Sequence, residues 1–258
     1  GSEMCIRDSC KAENVPYYII GNGSNLLVSD QGYEGVIIQI YKQMNQVEIT
    51  ENEIHAQAGA LLSMIANRAM EAELTGFEFA AGIPGTLGGA CVMNAGAYGG
   101  EMKDVLETVT VLTRDGDVKT LTKDELELGY RTSVIAKKDY IVLSAVIRLE
   151  NGKKEEIKAV MDDLKEKRIT KQPLEYPSAG STFKRPEGYF AGKLIQDAGL
   201  RGFQVGGAQV SEKHCGFVVN KDQATAADVM NLMNQVSDKV YEMSGVRLEP
   251  EVKRLGVF

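Results

Sequence analysis

Residues 76–102 read GFEFAAGIPGTLGGACVMNAGAYGGEM, with glycine at eight positions: 76, 82, 85, 88, 89, 96, 99 and 100. Small residues (Ala80, Ala81, Ala90, Ala95, Ala97) fill most of the gaps. Each glycine costs backbone entropy, so such a density belongs where the chain turns tightly or approaches something closely. One reading is a loop-rich connection between layers of a domain. The other is a cradle of free backbone N–H groups suited to phosphate oxygens. Asn94 and Tyr98 add side-chain hydrogen-bonding groups to the second reading.

Upstream, the β-prone run Tyr17–Ile20 leads into GNGSNLLVSD at residues 21–30, where Gly21 and Gly23 permit a tight turn and Ser24 and Asn25 supply hydrogen bonds. A strand followed by such a turn can hold a pyrophosphate on backbone amides. It is not the dinucleotide fingerprint Gly-x-Gly-x-x-Gly, and no helical pattern follows. Residues 36–40 (VIIQI) read as a buried strand, and 46–50 with 53–58 as a hairpin. Apolar spacing over 61–74 predicts a helix packed on a sheet. Residues 105–113 and 118–121 flank an Asp-Gly turn, a strong hairpin signal, and 141–149 reads as a further strand.

Composition shifts at Asn151-Gly152. A charged helix is predicted over 154–171, with Ile157, Val160, Met161 and Leu164 on one face. Residues 165–185 carry six basic side chains against two acidic ones in a chain of net charge −7, and lead into PSAGSTFKRP. That loop, with small residues and a hydroxyl pair beside cations, suits an anionic ligand. A short helix over 190–198 and a strand over 216–220 follow. Thr225 with Asp228 reads as the capping box of a long helix ended by Gly245. The segment 248–255 (LEPEVKRL) is predicted as a closing strand with Glu249 and Glu251 on one face.

The 258 residues are 43% hydrophobic and 25% charged, enough for a real core, in one large domain or two moderate ones. The acidic balance argues against a general nucleic-acid binder. No run of about 18 apolar residues is present, so no membrane span is expected. With two histidines and four cysteines lacking Cys-x-x-Cys spacing, no metal site is expected. Unpaired thiols and no visible secretory signal point to a reducing, cytoplasmic setting. Gly1-Ser2-Glu3 reads like a cloning scar and MCIRDS (4–9) like a translated sequencing adapter. Residues 1–9 are therefore set aside from the fold as an artefact, and 10–14 as the interior of an element whose beginning is absent.

With GNGSNLLVSD, GIPGTLGGACVMNAGAYGGEM, LGYRTS, PSAGSTFKRP and LEPEV in this order, the chain resembles the UDP-N-acetylenolpyruvoylglucosamine reductase (MurB) family over residues 11–256. The resemblance implies an α+β fold: an FAD-binding domain of the vanillyl-alcohol-oxidase/MurB (PCMH) type over 10–150, its N-terminal part missing, and an α+β substrate-binding domain over 151–258. Tyr189-Phe190 follows GSTFKRP almost directly, which resembles the branch lacking a tyrosine-bearing flap. The resemblance implies FAD and NADPH as cofactors and a UDP-sugar enolpyruvate as substrate in peptidoglycan synthesis. Arg131 matches the family's active-site arginine, Ser181 its proton donor and Glu251 its glutamate, with Glu249 as rival for Glu251 and Thr182 for Ser181. Lys171 and His214 fall at substrate-contact positions, with Lys184 and Arg185 beside them. The FAD contacts are expected among Gly21, Asn22, Gly23, Ser24, Asn25, Gly82, Gly85, Gly89 and Gly96. Two alternatives stand beside this: another FAD-dependent oxidase of the same fold, and an inactive truncated fragment.

Overall fold

The structure, a computed structural model, describes residues 2–258, with side chains from residue 5; Gly1, the first residue of the segment set aside above, lies outside them. The chain divides into two compact units. The first comprises residues 1–23 and 35–166, the second 24–34 and 167–258.

The first unit is built on a five-stranded antiparallel sheet in the order Val118–Thr122, Leu106–Leu112, Ile141–Arg148, Glu53–Gln57, Val47–Thr50. Both predicted hairpins are present. The Asp-Gly turn between Leu106–Leu112 and Val118–Thr122 has Gly116 at φ 100°, which a side chain would resist. Alternation along Leu106–Leu112 sends Val109 and Val111 into one core, and a register shift opposite Val146–Ile147 brings Leu106 into it as well. The helix Leu62–Glu71 buries Leu62, Ile65, Ala66 and Ala69 there, as its spacing predicts. Helix Leu87–Met93 adds Leu87, Ala90 and Cys91, whose thiol burial pushes up to about 12, leaving it an inert core residue. Tyr17–Ile20 and Val36–Gln39 form a separate parallel pair. Setting 1–9 aside left out a helix: Ser2–Ala12 is one continuous element, with Arg7 buried and its guanidinium donating to the Thr113 carbonyl at 3.2 Å.

The second unit packs helix Ala226–Ser244 against a three-stranded sheet of Gln204–Val205, Ala208–Val210 and Val218–Asn220 and against helix Ala191–Asp197. Leu232, Met233, Val236 and Val240 form the buried stripe, while Met243 at its end is exposed. The Thr225/Asp228 capping box is formed, and Gly245 at φ 71° closes the helix.

The units differ from the 10–150 and 151–258 division expected above. The helix Lys154–Lys171 contains the boundary instead of following it. Residues 24–34 join the second unit because Leu26–Val28 pairs in parallel with Lys253–Leu255, and because Asp30 accepts the Ala226 and Ala227 N–H groups at 2.6 and 3.0 Å. Both contacts span about 200 residues of sequence, which no local pattern reveals. Two further expectations are corrected. On the helix Lys154–Lys171, Ile157 is buried, Met161 packs against the core and Leu164 is half-buried as expected, but Val160 is exposed, so the apolar face is narrower than its spacing suggests. The closing strand is confined to Lys253–Leu255, which pairs with Leu26–Val28, because the residues before it pair with a different neighbour, Pro250 bridging to Phe183.

Candidate functional site

In the first unit the two glycine-rich stretches lie side by side. The Asn22 amide donates to the Pro84 carbonyl at 2.9 Å and Gln39 holds the Gly21 carbonyl at 3.1 Å. A methyl group on Gly21 would overlap the Thr86 hydroxyl. Thr86 is only 2% exposed and precedes helix Leu87–Met93 without capping it through its side chain. A nearly buried hydroxyl aimed at the GNG turn, beside the exposed Gly82 and Gly89, fits a ligand with phosphate oxygens. Sequence reasoning missed Thr86; its place one residue after Gly85 was the available signal.

Other glycines in 76–102 answer to the chain itself. A Cβ on Gly88 would sit 3.1 Å from that of Ala58, one on Gly96 2.7 Å from the Gly100 carbonyl oxygen, and one on Gly100 2.7 Å from the Phe79 ring. Gly85 is bound on both sides, to the Ile83 carbonyl and the Leu62 N–H, at 2.9 and 3.1 Å. The connection reading therefore accounts for these glycines, while Gly82 and Gly89 remain exposed. Asn94 is corrected: it is fully buried and spent on internal hydrogen bonds.

Arg131 occupies the third position of a tight turn whose ends, Gly129 and Thr132, exchange backbone hydrogen bonds of 3.1 and 3.2 Å. Its φ of 55° is unusual for a non-glycine residue, and its guanidinium stacks 5.0 Å from the Tyr130 ring centre. Gly21, Asn22, Gly23, Gly82, Gly85, Gly89, Gly96 and Arg131 all belong to this unit.

Ser24, Asn25, Ser181 and Glu251 belong to the second. Here residues 181–184 run extended between two neighbours. On one side Thr182 N–H donates to the Gly216 carbonyl at 2.9 Å; on the other the Glu251 N–H donates to the Thr182 carbonyl and Lys184 N–H to the Glu249 carbonyl, both at 2.8 Å. The Thr182 hydroxyl is 2% exposed and accepts the Val218 N–H at 2.8 Å. Successive side chains of an extended segment point oppositely, so Ser181 is exposed where Thr182 is not. Of the hydroxyl pair, Ser181 is the one free to meet a ligand.

The rival carboxylates also separate. The Glu249 side chain is 72% exposed and pairs with Lys184 at 3.1 Å, whereas Glu251 is 8% exposed. Asn25 donates to the Glu251 carbonyl at 3.3 Å, tying the GNGSN stretch to the glutamate's backbone.

The remaining substrate candidates are scattered in character. Lys171 is exposed at the end of its helix. Arg185 is exposed and lies 4.5 Å over the Phe190 ring. His214 is committed to a turn: its N–H donates to Ser211 Oγ at 3.2 Å, its Nδ1 accepts the Gly216 N–H at 3.1 Å, and its ring packs edge-on to Phe217. Burial, and secondarily the charge of Arg201, hold its pKa below the usual histidine value, so the ring is neutral at pH 7 with Nε2 left to reach a ligand. Among the described residues no cluster of three or more His, Cys, Asp or Glu could hold a metal, and no helix is long and apolar enough to cross a membrane.

Two family profiles match the chain. A family profile described as FAD binding domain matches residues 6–122, and one described as UDP-N-acetylenolpyruvoylglucosamine reductase, C-terminal domain, matches 172–255. The UDP-N-acetylenolpyruvoylglucosamine reductase of Agathobacter rectalis is 59% identical over 97% of this chain and 84% of its own length. That of Clostridioides difficile is 55% identical over 95% and 81%. The crystal structure of the Thermus caldophilus enzyme superposes with a TM-score of 0.83 at 36% identity, covering 96% of this chain and 89% of that one.

Proposed function

The chain belongs to the UDP-N-acetylenolpyruvoylglucosamine reductase family, and from that premise we propose how its residues divide the reaction. It is an FAD-dependent oxidoreductase that reduces UDP-N-acetylglucosamine enolpyruvate to UDP-N-acetylmuramate, a step of peptidoglycan precursor synthesis. NADPH is the hydride source we assign. The four unpaired cysteines support a reducing compartment, the cytoplasm.

The residues that would hold FAD are the turn Gly21–Asn22–Gly23, the exposed Gly82 and Gly89, and the Thr86 hydroxyl, with Ser24 and Asn25 continuing the first turn. The flavin, when bound, supplies a hydride to the enolpyruvyl carbon distal to the carboxylate. A hydrogen bond to an anionic oxygen contributes about 1.5–3 kcal/mol. Thr86→Val, which keeps the shape and removes the hydroxyl, is therefore expected to weaken FAD binding by roughly 10- to 100-fold in a fluorescence titration. Unchanged affinity would remove Thr86 from the cradle.

Charge then builds on the neighbouring carbon and its carboxylate. Arg131 binds that carboxylate through its planar fork and opposes the growing charge. Ser181 delivers the proton to the neighbouring carbon, so that one hydride and one proton saturate the double bond. Glu251 assists at the carboxylate end. Lys171, Lys184, Arg185 and the His214 Nε2 are assigned to the nucleotide-sugar phosphates and their surroundings. The observation that carries these roles is the register of residues 181–184, which frees Ser181, buries Thr182 and pairs the segment with Glu251.

The test is turnover. The purified chain loaded with FAD is expected to show a flavin spectrum and to oxidise NADPH only when the enolpyruvyl nucleotide sugar is present. Oxygen consumption with a simple sugar would favour an oxidase of the same fold. A chain that takes up no FAD would favour the inactive-fragment alternative.

A further inference from the structure

The Arg131 turn is fastened at both flanks to the end of one helix. On one flank stands Asn94, 0% exposed, which closes helix Leu87–Met93 in the left-handed conformation at φ 47°. Asparagine tolerates that conformation better than other residues with a side chain. Its amide reaches three separate places. Nδ2 donates to Glu101 Oε2 at 3.0 Å and to the Gly129 carbonyl at 3.2 Å, and Oδ1 accepts the Lys103 N–H at 2.8 Å. The Gly129 carbonyl is the same oxygen that accepts the Thr132 N–H across the turn. On the other flank Ser133, also 0% exposed, donates to the Val92 carbonyl at 2.6 Å and caps helix Val134–Lys138 by accepting the Ala136 N–H at 3.1 Å.

We propose that Asn94 is a positioning residue for Arg131: its amide fixes the turn that aims the guanidinium at the substrate carboxylate. This rests on the reading of Arg131 given above. Four residues with a left-handed third position have few ways of their own to hold a direction. An arginine used for bidentate recognition loses most of its advantage when displaced by about 1 Å, which can cost on the order of 100-fold in rate. The amide supplies the missing constraint from a buried, fully hydrogen-bonded origin. A carboxylate there could not donate to Gly129 and would face Glu101.

The experiment compares Asn94→Gly, which keeps the left-handed backbone accessible, with Arg131→Ala and the double variant, all loaded with FAD. Stopped-flow absorbance separates flavin reduction by NADPH from its reoxidation by the enolpyruvyl substrate. Asn94→Gly is expected to retain flavin and a cooperative melt, to be reduced within about twofold of the wild-type rate, and to reoxidise roughly 10- to 100-fold more slowly. The double variant is expected to reoxidise no more slowly than Arg131→Ala alone, since two residues acting through one group are not additive. Asn94→Asp is expected to slow the same step. Normal reoxidation in Asn94→Gly, or losses that multiply in the double variant, overturns the positioning role while leaving Arg131's own role intact. Loss of flavin or of cooperative melting in both Asn94→Gly and Asn94→Asp assigns the amide to the fold alone and overturns it likewise. Normal reoxidation in Arg131→Ala overturns the underlying reading instead.

Discussion

Ser181→Ala is expected to leave reduction of the bound flavin by NADPH at its wild-type rate and to slow reoxidation by the enolpyruvyl substrate by about 10²- to 10⁴-fold, the usual worth of a positioned proton donor. The split follows from where the hydroxyl stands in the chemistry. Reduction of the cofactor asks nothing of a group whose task is to protonate the substrate. The neighbouring hydroxyl cannot take over. Thr182 Oγ1 accepts the Val218 N–H at 2.8 Å and is 2% exposed, so it holds the register of the segment. Thr182→Val should accordingly act on stability, by leaving a buried N–H without its partner, a loss of about 1–3 kcal/mol. Stopped-flow measurement of the two half-reactions decides the matter. A folded Ser181→Ala protein that loses both, or neither, is incompatible with the proton-donor role.

The second large effect separates the two carboxylates of LEPEV. Glu251→Gln is expected to slow reoxidation on the order of 100-fold, the scale of losing one charged group from a desolvated reaction site. Glu249→Gln is expected to remain within a few-fold of wild type in the same assay. Glu249 is 72% exposed and its contact with Lys184 is a surface pair, worth about 0–1 kcal/mol. Glu251 is 8% exposed. Equal effects of the two substitutions would sink the assignment, and a larger effect at Glu249 would reverse it.

The hairpins, the helices over 62–71 and 226–244 and the capping box were legible because each is encoded by neighbours in sequence: an Asp-Gly turn, a 3.6-residue spacing, a threonine three positions before an aspartate. The family motifs were legible for the same reason, as short unbroken strings. What stayed hidden involves partners far apart along the chain. Nothing near Leu26 announces that it pairs with Lys253, or that Asp30 caps a helix that begins 196 residues later. Asn94 was readable as a hydrogen-bonding group, but not that its amide would turn inward to Gly129.

Sequence alone determined the α+β class, the family and the candidate residue types, a guanidinium, a hydroxyl and a carboxylate in their motifs, because residue identity and local spacing carry that information. Tertiary structure alone decided how the members of each rival pair differ in exposure and hydrogen bonding, which is what our assignment of roles rests on. Ser181 differs from Thr182, and Glu251 from Glu249, through burial and hydrogen-bond partners that distant strands supply. The hydrogen bonds that set that register join residues more than thirty positions apart, and a side chain's availability is what remains after they are made.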